Sequence, residues 1–443
     1  MNSKLKLALI VLAAVIALAI IVAIVVFSFA GASDEPDVSA SPAAPSTQTP
    51  STEPTPQPTE QTDPEQGEAG TTTATIAVGG DIVMHTGLNT EALTSDGTYD
   101  YTPIFGVLPD LISGADYAVC SLVSTLADGG EYTAYPLFRS PASLAGAISS
   151  VGFDLVNTAT SHLADSYKDG IDYTLDALDN AGLAHVGTYR TQEERDSSGN
   201  RTMDDINGIS VAFLAYTCDT NNVPVSGFEY AASICATDYL TGGTEIDYEL
   251  MDSDIAAARE AGADLVFVFM SWGTEFSTSP DDLQYEIADN LIASGADVII
   301  GGHCRVPQPM EMRTVTLEDG TERTAFVCYS LGNLISCQND EYTDISAILN
   351  LEITRDDASS ETRVTDVSYR PIYMADLYDY GINDYDWHYR VVDLHAAIDA
   401  WESGDDWEFM TEEIYNDMVT ALNAAHEFYG GQYDPLFEGE AAE

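Results

Sequence analysis

The residues of this chain that are best suited to chemistry each follow a run of apolar, β-branched residues. Asp81, His162 and His303 stand at such points. In α/β domains, ligand-binding side chains collect where strands end in loops, so these three are expected near one another. A carboxylate and two imidazoles are ligands that suit Mn, Fe or Zn. We predict Asp81 and His162 as catalytic residues and all three as an incomplete ligand set for one divalent metal; a metal-free site stays open as the alternative.

Simpler structural roles are open for several positions. Asp81 can bond the backbone of the turn that follows it, and Asp165 can cap the next helix. Asn333 can hold a turn in the same way. Trp272 directly follows an apolar run, so its structural interpretation is a wall or core residue. These roles compete with the chemical ones until the side chains are placed.

The elements that must position these residues alternate between short buried strands and helices. Three of the predicted helices end at a glycine, the usual C-terminal cap, at Gly182, Gly262 and Gly295. The pattern predicts a layered α/β fold. The predicted strands are 74–84, 117–123, 153–159, 209–217, 264–272, 297–301 and 324–331, and the predicted helices are 143–150, 171–181, 248–261 and 281–294.

The α/β domain is predicted over residues 74–335, and two further parts follow it. Residues 345–354 and 362–373 alternate apolar and polar positions, as half-exposed antiparallel strands do. These two segments predict that residues 336–390 form an antiparallel strand extension of the domain. Residues 391–443 are acidic, and 391–429 has the pattern of surface helices.

Residues 1–73 predict a membrane anchor and a stalk. Lys4 and Lys6 precede a charge-free apolar run at 7–29, which is long enough to span a bilayer. Residues 1–32 are expected to form a transmembrane signal-anchor with the rest of the chain outside the cytoplasm; small residues at 30–32 leave cleavage open. Residues 33–73 are rich in Pro, Ser, Thr and Glu and cannot bury enough apolar surface to fold, so they predict a disordered linker.

The charge of the chain excludes one class of function. It carries 15 Lys plus Arg against 73 Asp plus Glu, a formal net charge of -58 at pH 7. Binding to nucleic acid needs clustered cations that neutralise phosphates, so a general nucleic-acid binder is excluded. Any anionic polymer must be held at a local site, where Arg305, Arg139 or a bound cation makes the local charge positive.

The six cysteines leave disulfide pairing open. Disulfides are chemically possible outside the cytoplasm. No CxxC pair occurs, which disfavours structural zinc. Several cysteines lie in apolar runs, where buried free thiols are the common explanation.

Short segments between residues 75 and 333 follow one another in an order that indicates a family. They are Val-Gly-Gly-Asp at 78–81, Gly-Phe-Asp-Leu-Val at 152–156, Ser-His-Leu-Ala-Asp at 161–165, residues 170–187, Ser-Trp-Gly-Thr-Glu-Phe at 271–276, the stretch 295–303 with Gln-Pro at 308–309, and Ser-Leu-Gly-Asn at 330–333. In this order the chain resembles the CapA family, the poly-γ-glutamate capsule synthesis proteins. The resemblance implies a layered α/β-sandwich like that of calcineurin-like metallophosphoesterases and a role with a cell-envelope polymer.

Several polar positions depart from the family pattern. Ser121 and Val123 stand where the family has the Asn and Glu of Asn-Leu-Glu, and Thr-Ser-His at 160–162 replaces Asn-Asn-His. Ser271 replaces the His of His-Trp-Gly, and Arg305 replaces the last His of Gly-His-His-Pro-His. Arg305 adds a cation where a metal would lie, so a two-metal centre is not expected.

Three functions remain open, and whether the protein is an enzyme is undecided. The leading hypothesis is a membrane-anchored, extracytoplasmic protein for synthesis, export or tethering of an anionic cell-envelope polymer such as poly-γ-glutamate, without catalysis. The second is a mononuclear metal-dependent phosphoesterase-like hydrolase. The third is a non-catalytic surface binding or scaffold module, in which the guanidinium fork of Arg305 binds a carboxylate or phosphate. We predict that Arg305, Trp272 and Asn333 contact the substrate.

Overall fold

The computed structural model describes residues 70–404, 407 and 409–437. Residues 67–443 group as one compact unit. The predicted anchor at 1–32 and most of the predicted linker lie outside the described residues. The linker prediction is too long at its end, because Thr71–Thr73 already belong to a strand. No helix within the described ranges is long and apolar enough to cross a membrane.

Two mixed β-sheets form the centre of the fold. Their strands are β1 (Thr71–Ile82), β2 (Tyr117–Leu122), β3 (Thr125–Ala127), β4 (Arg139–Pro141), β5 (Leu155–Asn157), β6 (Ala184–Val186), β7 (Thr202–Ile206), β8 (Ile209–Thr217), β9 (Leu265–Ser271), β10 (Val298–Gly302), β11 (Met310–Thr316), β12 (Glu322–Cys328), β13 (Asn333–Ile335), β14 (Ile345–Asp356), β15 (Thr362–Asp376) and β16 (Tyr389–Asp393). The first sheet has the order β16-β15-β14-β1-β2-β5-β6, with β13 beside β1, and the second has the order β11-β12-β10-β9-β8-β7. β3 and β4 pair separately.

Parallel strands occupy the part of each sheet that carries the candidate site. β1, β2, β5 and β6 are parallel neighbours, as are β8, β9, β10 and β12. Every residue of β2 and β9 is buried, as expected for strands covered on both faces. The antiparallel strands β14 and β15 extend the first sheet beyond β1, so residues after Gly332 continue that sheet.

Helices cover the outer faces of both sheets. They are α1 (Thr86–Glu91), α2 (Thr102–Phe105), α3 (Leu108–Ile112), α4 (Ser143–Val151), α5 (Tyr167–Ala181), α6 (Gln192–Ser198), α7 (Tyr248–Glu260), α8 (Asp282–Ser294), α9 (Leu394–Ser403) and α10 (Glu412–Ala425). One apolar cluster, with Ile76 and Phe267, fills the space between the sheets. A second packs Leu144 of α4 on the first sheet, and a third packs Ile255 and Ile287 of α7 and α8 on the second. The result is a layered α/β/β/α sandwich, which confirms the layered α/β prediction.

The C-terminal helices pack on the antiparallel end of the first sheet. Ile414 and Met418 of α10 join the same cluster as Leu349 of β14 and Tyr369 of β15. α10 continues directly into a π-helix, His426–Gly430. The predicted start of the helical part was wrong, because Val391 lies in β16 and α9 begins only at Leu394.

The six cysteines are free thiols in the structure, and five of them are buried. This agrees with buried thiols in apolar runs. The Cys218 and Cys235 sulfurs are hydrogen-bonded at 3.5 Å and form no disulfide with each other.

Candidate functional site

The ends of β1 and β10 bring an aspartate and the loop after β10 together across the two sheets. Asp81 is the last residue but one of β1, and it pairs in register with Ser121 of β2 and Asn333 of β13. A Cβ on Gly302, at the end of β10, would lie 2.6 Å from the Asp81 Oδ1. Only glycine therefore lets the two strand ends approach so closely.

The loop after β10 is strained at two residues. His303 has φ 81 and Arg305 has φ 67, both in the left-handed region that residues with a Cβ rarely adopt. Each such residue costs about 1–3 kcal/mol. The turn directs the His303 N–H to the Asp81 Oδ2 at 2.9 Å and sets the Arg305 Nη1 3.6 Å from the same oxygen.

Arg305 is a buried cation with two carboxylates beside it. Its side chain is 3% exposed, its Nε donates to the Glu275 Oε1 at 3.2 Å, and Asp81 lies on its other side. The Arg305 Nη1 is buried and hydrogen-bonds to no group in the described part of the chain. Burial raises the pKa of Asp81, and the Arg305 charge and the His303 N–H oppose that rise.

His162 is held by a neighbouring carboxylate. Its Nδ1 lies 2.7 Å from the Asp165 Oδ2, and that oxygen also accepts the Phe138 N–H at 2.6 Å. The side-chain amide nitrogen of Asn221 lies 3.2 Å from the His162 Nδ1 and 3.2 Å from the Asp165 Oδ1. When His162 donates its Nδ1–H to Asp165, its Nε2 is left with a free lone pair, which is the arrangement of an oriented general base.

Asp165 therefore does not have the capping role considered above. The N-cap of α5 is Ser166, and no side chain bonds the first turn of that helix. The Asp165 carboxylate is instead fully enclosed against His162.

The two predicted metal-ligand histidines line different cavities. His162 and Arg305 line one of about 330 Å³, together with His85 and Glu275. His303 lines another of about 360 Å³, where its Nε2 lies 3.9 Å from the Asp219 Oδ2. Burial lowers the pKa of His303, and the charge of Asp219 opposes this.

His85 is an uncharged side chain of the first cavity at neutral pH. Its ring meets the edge of Phe138, which in turn meets His162, at centroid distances of 5.1 and 4.7 Å. Burial, with the nearby charges of Arg305 and His162, lowers the pKa of His85 to about 4. The His85 Nε2 is buried without a hydrogen-bond partner among the described residues.

The side chains at Asp81 are not arranged as ligands of a divalent metal. Asp81 faces the Arg305 guanidinium and a backbone N–H, and the His162 Nδ1 is taken by Asp165. The His303 Nδ1 lies 3.3 Å from the Ser161 hydroxyl. In the described ranges, these three predicted ligands do not form a group whose ligand atoms all lie within 4.8 Å of one another. A guanidinium supplies the positive charge here.

The other predicted contacts are largely enclosed. Trp272 is 1% exposed, stacks on Tyr329 and donates its Nε1–H to the Tyr329 carbonyl at 2.9 Å, so most of its ring belongs to the core. Asn333 donates to the Gln338 Oε1 at 3.0 Å, and its own Oδ1 is buried without a partner in the described chain. Both roles in substrate contact stay predictions.

Sequence reasoning missed Glu275, Asn221 and Phe138. Glu275 lies within the segment 271–276 that resembles the family, so only its side-chain direction was unknown. Asn221 has a left-handed φ of 51, which is frequent for asparagine but leaves no mark in a sequence. Phe138 reads as an ordinary apolar residue until the fold places it between two imidazoles.

Comparisons with known proteins bear on residues 75–338, which match the family described as "Bacterial capsule synthesis protein PGA_cap". The "Capsule biosynthesis protein CapA" of Bacillus anthracis is 27% identical over 210 residues, which are 47% of this chain and 46% of that protein. The "PGA biosynthesis protein CapA" of Bacillus subtilis (strain 168) is 27% identical over 208 residues, covering 47% and 49%. The chain thus spans about half the length of these relatives.

Among solved structures, a novel phosphatase from Mycoplasma pneumoniae aligns with a TM-score of 0.38 and 9% identity, covering 68% of this chain and 94% of that one. A similarity of this size assigns neither fold nor activity.

Proposed function

Because the chain belongs to the bacterial capsule synthesis protein family PGA_cap, we propose that it takes part in the synthesis, export or tethering of an anionic cell-envelope polymer such as poly-γ-glutamate. In this proposal the protein binds the polymer without cleaving it. Residues 1–32 anchor it in the membrane, and the rest of the chain lies outside the cytoplasm. The family membership and the apolar run at 7–29 support these two parts of the proposal.

The observation that carries the binding role is the contact between Arg305 and Glu275. A glutamate carboxylate of the chain itself already lies on this guanidinium, at 3.2 Å from its Nε. The Glu275 side chain is 44% exposed, so it can turn away at little cost, and the Arg305 Nη1 makes no hydrogen bond to the residues that the structure describes. A γ-linked glutamate of a polymer presents a free α-carboxylate, which can replace the side-chain carboxylate of Glu275 on the guanidinium.

The net charge confines such binding to this place. A body with a formal charge of -58 repels a polyanion over most of its surface. Inside the cavity, a buried guanidinium interacts with a carboxylate in a lower dielectric than water, which strengthens the attraction. His85 is neutral there at pH 7, whereas Arg305 carries a charge that a carboxylate can meet.

Titration of the full-length protein, in detergent, with poly-γ-glutamate oligomers tests this role. Glu275→Gln removes the competing carboxylate, so binding is expected to tighten. Arg305→Lys keeps the charge but loses the planar fork, so binding is expected to weaken. Arg313→Lys is the matched control, because Arg313 pairs with Asp289 away from the cavity. Equal affinity in the wild type, Glu275→Gln and Arg305→Lys would remove the proposed site.

The metal-dependent hydrolase stays a prediction. Its support is the oriented His162, whose Nε2 is available as a base. The hydrogen bonds of His162 in the described chain go to Asp165 and Asn221, and none of them connects it to a hydroxyl nucleophile. Hydrolysis of a phosphodiester that is lost in His162→Gln would favour this function over simple binding.

A further inference from the structure

A second group of two histidines and one aspartate lies in the C-terminal part of the chain. His395 is in the first turn of α9, His426 opens the π-helix after α10, and Asp434 follows a short 3₁₀ turn. The Nε2 atoms of both histidines lie 2.7 Å from the same oxygen, Oδ2 of Asp434. Across the described part of the chain, this is the group whose three ligand atoms all lie within 4.8 Å of one another.

Local structure fixes each of the three side chains. The π-helix is a widened turn of a kind that is frequent at functional sites, and it begins at His426. Gly430 has φ 95, which turns the chain back so that Asp434 returns toward His426. The Asp434 Oδ1 accepts the Leu436 N–H at 2.9 Å, so the other oxygen is left for the imidazoles. The His426 ring also packs edge-on against Phe437, at a centroid distance of 4.5 Å.

The carboxylate of this group is buried and faces two imidazoles. The Asp434 side chain is 0% exposed, and its ion-pair partners among the described residues are the two imidazoles, with no Arg or Lys. A bound cation would give this buried carboxylate a charged partner beside the two imidazoles.

We propose that His395, His426 and Asp434 bind a divalent transition metal of the zinc class. Two imidazole nitrogens and one carboxylate oxygen are ligands that zinc takes in its mononuclear sites. With metal–ligand bonds of about 2.0–2.2 Å in a tetrahedron, the ligand atoms would stand about 3.3 Å apart. The nitrogens and the oxygen must therefore separate by about 0.6 Å from their hydrogen-bonded positions.

One coordination position remains open to solvent. Three protein ligands leave a fourth place on a tetrahedral ion, and each imidazole side chain is 12% exposed. Water or a small anion can occupy that place. Each imidazole would bind through Nε2, so the proton that this nitrogen donates to Asp434 must leave it, and the ring would then carry its proton on Nδ1, where it can donate to water.

The metal would cross-link three segments that support the candidate site. It joins α9, the end of α10 and the chain at Asp434. In the intervening π-helix, the Tyr429 hydroxyl donates to the Leu331 carbonyl at 2.7 Å. The next residue, Gly332, accepts the Asp81 N–H through its carbonyl at 3.0 Å. This inference is independent of the proposed polymer binding, because it concerns a different set of residues.

Zinc binding to the full-length protein, stripped with EDTA and kept in detergent, tests the proposal. Calorimetric titration and elemental analysis should give one zinc per chain. His426→Gln keeps an N–H that can donate to Asp434 but supplies no imidazole, so zinc affinity should fall at least about tenfold. His395→Gln should have the same effect. His388→Gln is the matched control, because His388 pairs with Glu91 outside the group, and it should bind zinc as the wild type does.

Two outcomes would overturn the proposal. One is unchanged zinc stoichiometry and affinity in both His395→Gln and His426→Gln; the other is loss of the bound zinc in His162→Gln, which would move the metal to the first cavity. Circular dichroism verifies that the variants are folded. If a variant does not fold, the visible absorption of Co²⁺ bound to the wild-type protein decides: an intense four-coordinate spectrum supports the site, and a pale octahedral spectrum contradicts it.

Discussion

Two groups in this chain combine two histidines with one aspartate, and they differ in what faces the carboxylate. At Asp81 an arginine stands against the buried carboxylate, and the imidazoles of His162 and His303 turn to other partners. At Asp434 both imidazoles converge on one carboxylate oxygen. The same residue types thus lie beside a buried arginine in one place and converge on one carboxylate oxygen in the other. The two groups differ in whether a guanidinium or a pair of imidazoles faces the carboxylate.

The largest expected effect removes the cation from the first group. Arg305→Met leaves Asp81 buried without its charged partner and should lower the free energy of unfolding by about 3–5 kcal/mol, measured by urea denaturation. Adding Asp81→Asn should recover most of this loss, because the carboxylate is then neutral. Arg313→Met, which breaks an ion pair with an exposed partner, should cost no more than about 1 kcal/mol. Equal losses in the two single variants would mean that the burial of the Asp81 pair is unimportant.

The second-largest effect is expected when zinc is added to the group at Asp434. Zinc at a hundred times its dissociation constant should raise the free energy of unfolding of the wild-type protein by about 2.7 kcal/mol. The same addition should stabilise His426→Gln by no more than about 1.4 kcal/mol, because its zinc affinity is at least about tenfold lower. Denaturation with and without zinc, in parallel with EDTA controls, measures the difference. Equal stabilisation of both proteins would show that zinc acts elsewhere.

The free energy of unfolding should depend on pH because of His85, the neutral imidazole of the first cavity. His85 has a pKa of about 4 in the folded protein, whereas an unfolded histidine titrates near its ordinary 6.5. The unfolded chain therefore binds the proton first, and stability should fall as pH drops from about 6.5 toward 4. His85→Gln should flatten this part of the stability curve. A curve that is unchanged by the substitution would mean that His85 is not held neutral.

The smallest expected effect on stability concerns the movable carboxylate. Glu275→Gln removes an ion pair whose acidic partner is 44% exposed, so the free energy of unfolding should change by less than about 1 kcal/mol. Polymer affinity should rise in the same variant. Glu275→Gln therefore shows whether binding can change while the stability of the fold does not. Thermal denaturation beside the binding titration checks both. A large loss of stability would show that Glu275 is needed to neutralise Arg305.

The regular elements could be predicted where the apolar pattern is long. The strand at Ile209–Thr217 is observed with its predicted bounds, and α7 and α8 differ from prediction by one residue at one end. Gly182 and Gly295 end their helices with φ 76 and 124, as glycine caps do. Short strands such as β3 and β4 escaped prediction, because three residues carry too little periodicity to recognise.

Side-chain partners could be predicted far less well. Asp165 was considered only as a cap of the next helix, whereas its carboxylate pairs with His162, three residues before it. His395 and His426 lie outside the segments that resemble the family, so their approach to Asp434 had no sequence signal. Their placement depends on the packing of α9 and α10 against β15, which no local pattern describes.

The sequence by itself determined the layered α/β fold, the positions of Asp81, His162 and His303 at strand ends, and the negative charge that excludes nucleic acid. These follow from local apolar periodicity and composition, which are additive along the chain. Only the tertiary structure decided which cation faces which carboxylate. The His303 N–H and the Asp81 carboxylate are 222 positions apart in the chain, and the left-handed turns at His303 and Arg305 that join them depend on close packing at Gly302.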